Sequence, residues 1–445
     1  MALPLLAFLF LLTYDGALRK WAIPGGEQIL IMLKDVLLFV LLAYVVLTGS
    51  YRQAGISVPA PVQLAFWLYA AWVMLETLNQ SLPNVLVGLW GAKAHLLYAA
   101  LILVMPLAFR TPGQLFATFE KIYPYVVIPV CALAFVQVTL PADHFLNQQV
   151  RGGIEGIAVF GDANLVRVAG TFSYITGMGA FVQVTALLGV GLYIAGARSW
   201  PFLAGLGFAL GALPVTGSRG VVLAVSLGAI AMFTAGVLAR AVSPAHLARA
   251  ICIVGALFIV SLAAQDATWE ALQQRFEANR EEGTPRIITA FTNAFDHMPG
   301  AGAFGFGAGA ANFGAIALAP NEEPFSWLPV GMNFEEESGR IVLELGAIGW
   351  GLSMLMRIAM LFWAVSLVLG ASTLDSRVAA AIALPFMVLG VHQGSGVFAA
   401  SYMSVAYWFC AALLAMASYE DLRVRRQRRS AWHVGRVMAR LPQRA

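Results

Sequence analysis

The stretch Gln28-Ile-Leu-Ile-Met-Leu-Lys34-Asp35-Val-Leu-Leu-Phe-Val-Leu-Leu-Ala-Tyr-Val-Val-Leu-Thr48 decides the fold class. It is an unbroken apolar run except for one adjacent Lys-Asp pair, and about 20 such residues cross a bilayer as a helix. The rest of the chain follows suit. Of 445 residues, 60% are hydrophobic and only 11% charged, against roughly 25% charged in a water-facing protein. A soluble enzyme, a coiled coil and a disordered scaffold are excluded together. Similar runs recur at 2–17, 60–78, 85–108, 119–140, 171–195, 200–216, 219–238, 250–264, 341–369, 379–393 and 397–417. The expectation is an all-α polytopic membrane protein with about 12 transmembrane helices and a long external loop carrying short helices. It divides into an N-terminal bundle over 1–264, with a short external loop at 141–170, then a large loop over 265–340. C-terminal membrane helices over 341–417 and a basic tail over 418–445 complete it. The first run lacks a basic lead-in and a cleavage site, which predicts a retained helix.

Charge sets the expected orientation. From Glu420 onward there are eight arginines and two acids, within an overall net charge of +4. A basic tail after a hydrophobic run reads as a cytoplasmic signal touching anionic lipid rather than as a nucleic-acid site. An even span count then puts Arg52, Arg110, Lys121, Arg198, Arg240, Arg249 and Arg377 on the tail's side, and only Arg19, Lys20 and Arg219 in short external connections. The three cysteines, Cys131, Cys252 and Cys410, lie in apolar runs, which argues against disulfides and thiolate metal sites.

The candidate chemistry gathers at the external face. Arg219 in Thr216-Gly217-Ser218-Arg219-Gly220 stands between two apolar runs. A guanidinium at a membrane boundary is costly unless paired or used, and its fork suits phosphate beside a helix start. The plain alternative is a snorkelling arginine that marks the interface. In the long loop, 268–282 reads as an amphipathic helix with Trp269, Leu272 and Phe276 on one face, and a second helix is expected over 285–297. This puts Arg286 at a helix start, as a second phosphate contact or a mere surface charge. Residues 299–309 are too rich in glycine for a stable helix. Glu335-Glu336-Glu337-Ser338-Gly339-Arg340 then leads into a span, followed by Glu344. Adjacent carboxylates repel and raise at least one pKa, which suits a general base for a sugar hydroxyl. The competing reading is helix capping. Arg340 is the expected partner of Glu337 and Glu344. Inside spans lie Lys34, Asp35, Glu76, Lys93 and His95, with a Glu76–Lys93 pair expected; His297 is expected to cap a helix C-terminus. No P-loop, dinucleotide fingerprint, His-Glu-x-x-His or Asp-x-Asp occurs, which disfavours nucleotide hydrolysis, hydride transfer, zinc proteolysis and metal-dependent nucleotide-sugar transfer.

The order of these features resembles the O-antigen ligase and O-antigen polymerase superfamily of bacterial envelope glycosyltransferases. Carrying the resemblance are Thr-Gly-Ser-Arg-Gly at 216–220, Arg286, His297-Met-Pro299-Gly, the glycine stretch, and Glu344-Leu-Gly-Ala-Ile-Gly349. Gly16-Ala-Leu-Arg-Lys-Trp-Ala-Ile-Pro24 with Lys34-Asp35, and Arg167-Val-Ala-Gly-Thr-Phe-Ser173, look like its exopolysaccharide-cluster branch. The resemblance implies a metal-independent, cofactor-free reaction at the periplasmic face of a bacterial inner membrane, with the C-terminus cytoplasmic. An acceptor glycan hydroxyl would attack the anomeric carbon of an undecaprenyl-diphosphate-linked glycan donor, with chain-length or export proteins as partners and no nucleic acid. It implies Arg219 and Arg286 on the diphosphate, one of Glu335, Glu336 and Glu337 as base, and Arg340, Glu344, Lys93 and His297 in support. Ligases carry a His-Asn pair about nine residues before their Glu-x-Gly. Here Glu335 stands at that place, which points to a polymerase working with a carboxylate or with the arginines alone. A ligase acting on lipid A core or protein, a flippase gated by Lys34, Glu76 and Lys93, and an assembly scaffold are the alternatives.

Overall fold

The computed structural model describes the chain apart from residues 149–158, 161–164, most of 241–265, 279, 330–335, 395, 399 and 439–445, and gives backbone alone at 27–28, 160, 266, 272, 275–276, 278, 280–287 and 431–438. Among the described residues the protein is helical, apart from one hairpin pairing Val159–Phe160 with Leu165–Val166. In chain order the helices are α1 (Ala2–Ala17, continued by a π turn at Leu18–Ala22), α2 (Glu27–Leu47), α3 (Ala60–Glu76), α4 (Val85–Leu96) and α5 (Leu101–Ala108). Next come α6 (Pro112–Val138), α7 (Ile175–Ile194), α8 (Trp200–Val215) and α9 (Arg219–Leu238). The long loop contributes α10 (Asp266–Ala278), α11 (Arg280–Ala301) and α12 (Gly314–Leu318), and the chain closes with α13 (Glu337–Gly370), α14 (Leu374–His392) and α15 (Ser401–Met438).

Nine helical segments among the described residues are long and apolar enough to cross a membrane, with α4 and α5 counting together as one span. Two other expected spans, α3 and α8, form helices of 17 and 16 residues. The run at 250–264 lies almost wholly outside the described residues. Helix starts follow local chemistry. Asn84 accepts hydrogen bonds from the Leu86 and Val87 amides, Thr111 precedes Pro112 and accepts from Gln114, and Thr373 accepts from Ser376.

The centre of the bundle is α7, α14 and α15. A run of small residues, Ala379 to Ala383 with Ile382 among them, is fully buried, as are Ala411, Ala412, Ala415 and Ala417. Lipid offers no hydrophobic drive to bring helices together, so close backbone approach through such residues is what holds a membrane bundle. Peripheral helices do the reverse: α2 exposes Ile29, Met32, Val36, Phe39, Val40 and Leu47.

Alternation of the helices sorts the connections to two ends. At one end the Ser57 amide donates to Ala415 (3.1 Å), Arg377 to the Ala239 carbonyl (3.1 Å), and Arg425 of the tail to the Gly370 carbonyl. At the other end the long loop covers the mouth of the bundle. There Asn84 donates to Leu318 (3.0 Å), and Lys20 to Gly170 (2.7 Å). The 167–173 segment is pressed onto α1, with Thr171 donating to the Thr13 carbonyl (2.7 Å) and leaving no room for a side chain at Gly16.

The glycine stretch is threaded into the bundle rather than lying on it. Ala308 N–H donates to the Glu76 carbonyl (3.0 Å), and Gly91 of α4 lies against the Ala308–Gly309 backbone. Gly91→Ala is therefore expected to cost about 2–3 kcal/mol by overpacking backbone that cannot rotate away. Thermal denaturation in detergent checks this; an unchanged melting temperature would contradict the packing.

Candidate functional site

The site is organised by a break in α13. At Gly346 the backbone takes φ 68°, ψ −177°, so two helical pieces meet at a kink. A broken helix leaves amides and carbonyls unpaired, which at membrane depth must be satisfied from elsewhere. The glycine stretch satisfies them. Phe306 and Gly307 donate to the Leu343 and Glu344 carbonyls (2.7 and 3.0 Å), while Ala347 and Ile348 donate to Gly302 and Ala303 (3.0 and 3.3 Å). Gly302, Gly305, Gly307 and Gly309 have positive φ along this path. The glycines thus serve the protein's own backbone; the expectation of an irregular segment holds, although α11 extends through Pro299 to Ala301.

The short piece of α13 before the kink carries the charges. Glu337 is 2% exposed. Its Oε1 receives Arg357 Nη2 (2.9 Å) and the Phe398 amide (2.7 Å), and its Oε2 the Val397 amide (2.9 Å). Arg357 also donates to the Gly390 carbonyl (2.5 Å) and lies 4.5 Å over the Phe398 ring. This corrects two expectations: Glu337 is a locked structural carboxylate rather than a free base, and its partner is Arg357, not Arg340. Twenty residues and the Gly346 kink separate 337 from 357, and the α14–α15 connection brings the third party. Glu336 is the half-buried residue before the helix, and Glu335 lies outside the described residues.

Glu344 is held from the opposite side. His95 Nε2 meets its Oε2 at 2.7 Å, and His95 Nδ1 meets the Tyr69 hydroxyl at 2.7 Å. With Nε2–H donating to the carboxylate, Nδ1 accepts from the tyrosine, so one tautomer satisfies both contacts. Arg340 Nε stands 3.8 Å from the other oxygen, Oε1, too far for a hydrogen bond. Lys93, two residues before His95, faces away and pairs with Asp35 (2.7 Å). The expected Glu76–Lys93 pair is therefore absent: Glu76 takes a hydrogen bond from Asn79 (2.7 Å). Neither residue's sequence spacing tells which neighbour its helix face meets.

Against this piece packs α11. Gly339 has no side chain because Asn293 and His297, one turn apart on α11, occupy its place. A group of buried polar atoms without hydrogen-bond partners among the described residues collects on these two helices: Asn293 Oδ1, His297 Nε2, Ser338 Oγ, Arg340 Nε and Nη2, and Glu344 Oε1. Buried polar groups are nearly always satisfied, and a guanidinium cannot shed its charge. Such a set is suited to an anionic group with hydroxyls. His297 is not the expected helix cap; it sits one turn before the end of α11, because the helix continues to Ala301.

Arg286 is also displaced from the expected place. The helix starts at Arg280, so Arg286 lies two turns in; Glu281 and Glu282 in the first turn favour the earlier start. Its side chain is outside those described. Arg219 does open α9, half-buried after Ser218, and Arg167 donates to the adjoining Thr216 carbonyl (3.5 Å). The residues that reasoning along the chain missed are Asn293, Tyr69 and Arg357. For Arg357 a signal existed, since a lone arginine deep in an apolar run needs a partner. For Asn293 none did.

Among the described residues no three His, Cys, Asp or Glu side chains converge as a metal site. Comparison with family models and with curated proteins found no match to the chain.

Proposed function

We propose that this protein is a membrane glycosyltransferase that polymerises polyprenyl-diphosphate-linked oligosaccharide repeats at the loop end of the bundle, the face expected to be periplasmic. The observation that supports this most is the set of buried groups between α11 and the first turns of α13 that have no hydrogen-bond partner among the described residues. Arg340, whose Nη2 has no hydrogen-bond partner among the described residues and whose Nε has the Glu344 carboxylate at 3.8 Å, takes a diphosphate oxygen, and Arg219 at the start of α9 is a second candidate contact. His297 Nε2 accepts the proton of the acceptor hydroxyl, whose oxygen attacks the anomeric carbon. The bond from that carbon to the diphosphate oxygen breaks, and polyprenyl diphosphate leaves with the electron pair. Asn293 and Ser338 orient sugar hydroxyls. His297 and Asn293 thus supply in space the histidine and asparagine that ligases carry in line before Glu-x-Gly. Glu344, oriented by His95, keeps Arg340 in place.

Little covalent chemistry is asked of the protein, because diphosphate is already a good leaving group. Positioning contributes roughly 7–11 kcal/mol, and each preorganised donor on the developing charge about 3–4 kcal/mol. The test is turnover of purified protein with a lipid-diphosphate-linked oligosaccharide, products resolved as a ladder, with and without EDTA. The expected result is an EDTA-insensitive ladder, reduced about 10²–10³-fold in Arg340→Ala and at least 10²-fold in His297→Ala. A single transfer to an added acceptor would make the protein a ligase. Full activity in both variants would remove this site from the chemistry.

A further inference from the structure

A second cationic cluster lies on the other side of α4. His95 meets Glu344 on one face, while Lys93, about 200° round the helix, meets α2 on the other. Here α1, its π turn, α2 and α4 bring together Asp15, Arg19, Lys20, Lys34, Asp35 and Lys93. Lys34 Nζ donates to Asp15 Oδ2 (3.0 Å) and to the Ile31 carbonyl (2.9 Å). Arg19 Nη2 donates to the same Asp15 oxygen (3.3 Å) and its Nε to the Asp15 carbonyl (3.3 Å). Asp35 takes Lys93 (2.7 Å) and the Tyr98 hydroxyl (2.7 Å). Lys20 donates to the Gly170 carbonyl (2.7 Å).

Four cations therefore share two carboxylates. Arg19, Lys34, Asp15 and Asp35 are each less than one-tenth exposed, and among the described residues no further acid pairs with any of the four cations. From the 167–173 segment, Thr171 donates to the Thr13 carbonyl and the Gly170 carbonyl accepts from Lys20, contacts that add no negative charge. A ladder that only joined helices would balance, because uncompensated charge away from water is strongly unfavourable. All four cations keep N–H donors to spare, and two of them, Lys20 and Lys93, are only half-buried. Lys93 keeps 22% of its side chain exposed, 3.9 Å over the Trp90 ring, and Lys20 lies 4.5 Å over Trp21.

We propose that this cluster is a second anion site, built for a dianionic phosphate or diphosphate group, with Lys20 and Lys93 as its contacts and Trp21 and Trp90 as flanking walls. It lies across α4 from His95, whose partner Glu344 belongs to the Arg340 site. On the transferase reading it holds the headgroup of the acceptor while the Arg340 site holds that of the donor, although the site itself does not depend on that reading.

The test is the stoichiometry of farnesyl diphosphate binding to the full chain in phosphatidylcholine nanodiscs, with melting temperature as the control for folding. Wild type is expected to bind two equivalents, and Lys20→Gln and Lys93→Gln one, with the lost equivalent at least tenfold weaker. Arg340→Ala is expected to lose the other equivalent, so Lys20→Gln/Arg340→Ala binds none. Among the described residues Lys20 is hydrogen-bonded to a carbonyl and pairs with no carboxylate, so its replacement carries the test if Lys93→Gln does not fold. Unchanged stoichiometry in folded Lys20→Gln overturns the proposal and leaves the transferase reading intact; loss in the lysine variants but not in Arg340→Ala upholds it and removes Arg340 instead. Displacement of this equivalent by inorganic pyrophosphate assigns the site to the phosphate group as such, and resistance to displacement to a lipid-borne headgroup; both uphold an anion site.

Discussion

Gly346→Ala is expected to abolish turnover and to lose most of the folded protein. With φ 68° and ψ −177°, this residue occupies a region essentially confined to glycine, and a non-glycine residue there costs about 1–3 kcal/mol in strain alone. A methyl group would also overlap the Ala303 carbonyl and the Phe304 amide. To make room, the glycine stretch must retreat. The four hydrogen bonds from 302–307 across the kink then go, each worth about 1 kcal/mol net and more where no water replaces it. The combined effect is about 4 kcal/mol or more, a large part of the 5–15 kcal/mol that holds an ordinary domain. Gly351→Ala is the control. It lies five residues on in the same helix with open space around its Cβ, and alanine there should be neutral or stabilise by about 0.5–1 kcal/mol. The comparison is read as melting temperature and yield in detergent. Equal behaviour of the two variants would mean that the break is not built on Gly346.

Arg357→Met is the second large effect expected. It leaves Glu337 buried with two amide donors and no cation, and breaking a buried pair in this way costs about 3–5 kcal/mol. The loss should appear as a lower melting temperature and lower yield. Glu337→Gln/Arg357→Met should recover part of the stability, because a neutral amide no longer needs the guanidinium and still accepts from Val397 or Phe398. A double variant no more stable than Arg357→Met would show that the pair is not what the loss reports. The pair also joins three segments, since the carboxylate comes from α13 before the kink, the guanidinium from after it, and the amides from the α14–α15 connection. It fixes the orientation of the piece that presents Ser338, Arg340 and Glu344.

The membrane helices were legible because the signal is additive. A run such as 28–48 carries the same message at nearly every position, and a bilayer demands a length that a helix of known rise must meet. Placement by hydropathy therefore came within a few residues for α2, α7 and α9. Ends set by single residues were less legible. α11 was expected from Pro285, yet proline in an early turn forfeits one hydrogen bond, and the acids upstream of it favour an earlier start. The long loop's glycines were read correctly as irregular, but the reason for them lies in another segment: the carbonyls of 343 and 344 need donors that only a bare backbone can bring close.

Sequence by itself determined that the chain is a helical membrane protein and that its basic residues concentrate at the tail end; it named the acidic loop, its arginines and the last carboxylates before α13 as candidates only. Tertiary structure alone decided which charge meets which. Successive helical residues point about 100° apart, so Lys93 and His95 face different neighbours, and Glu337 and Glu344 are claimed by Arg357 and His95 across gaps of 20 and 249 residues. Apolar periodicity is weak in a helix that is greasy on every side, so it cannot say which face turns inward. Packing of small residues decides that, and with it which polar atoms are left buried without a partner.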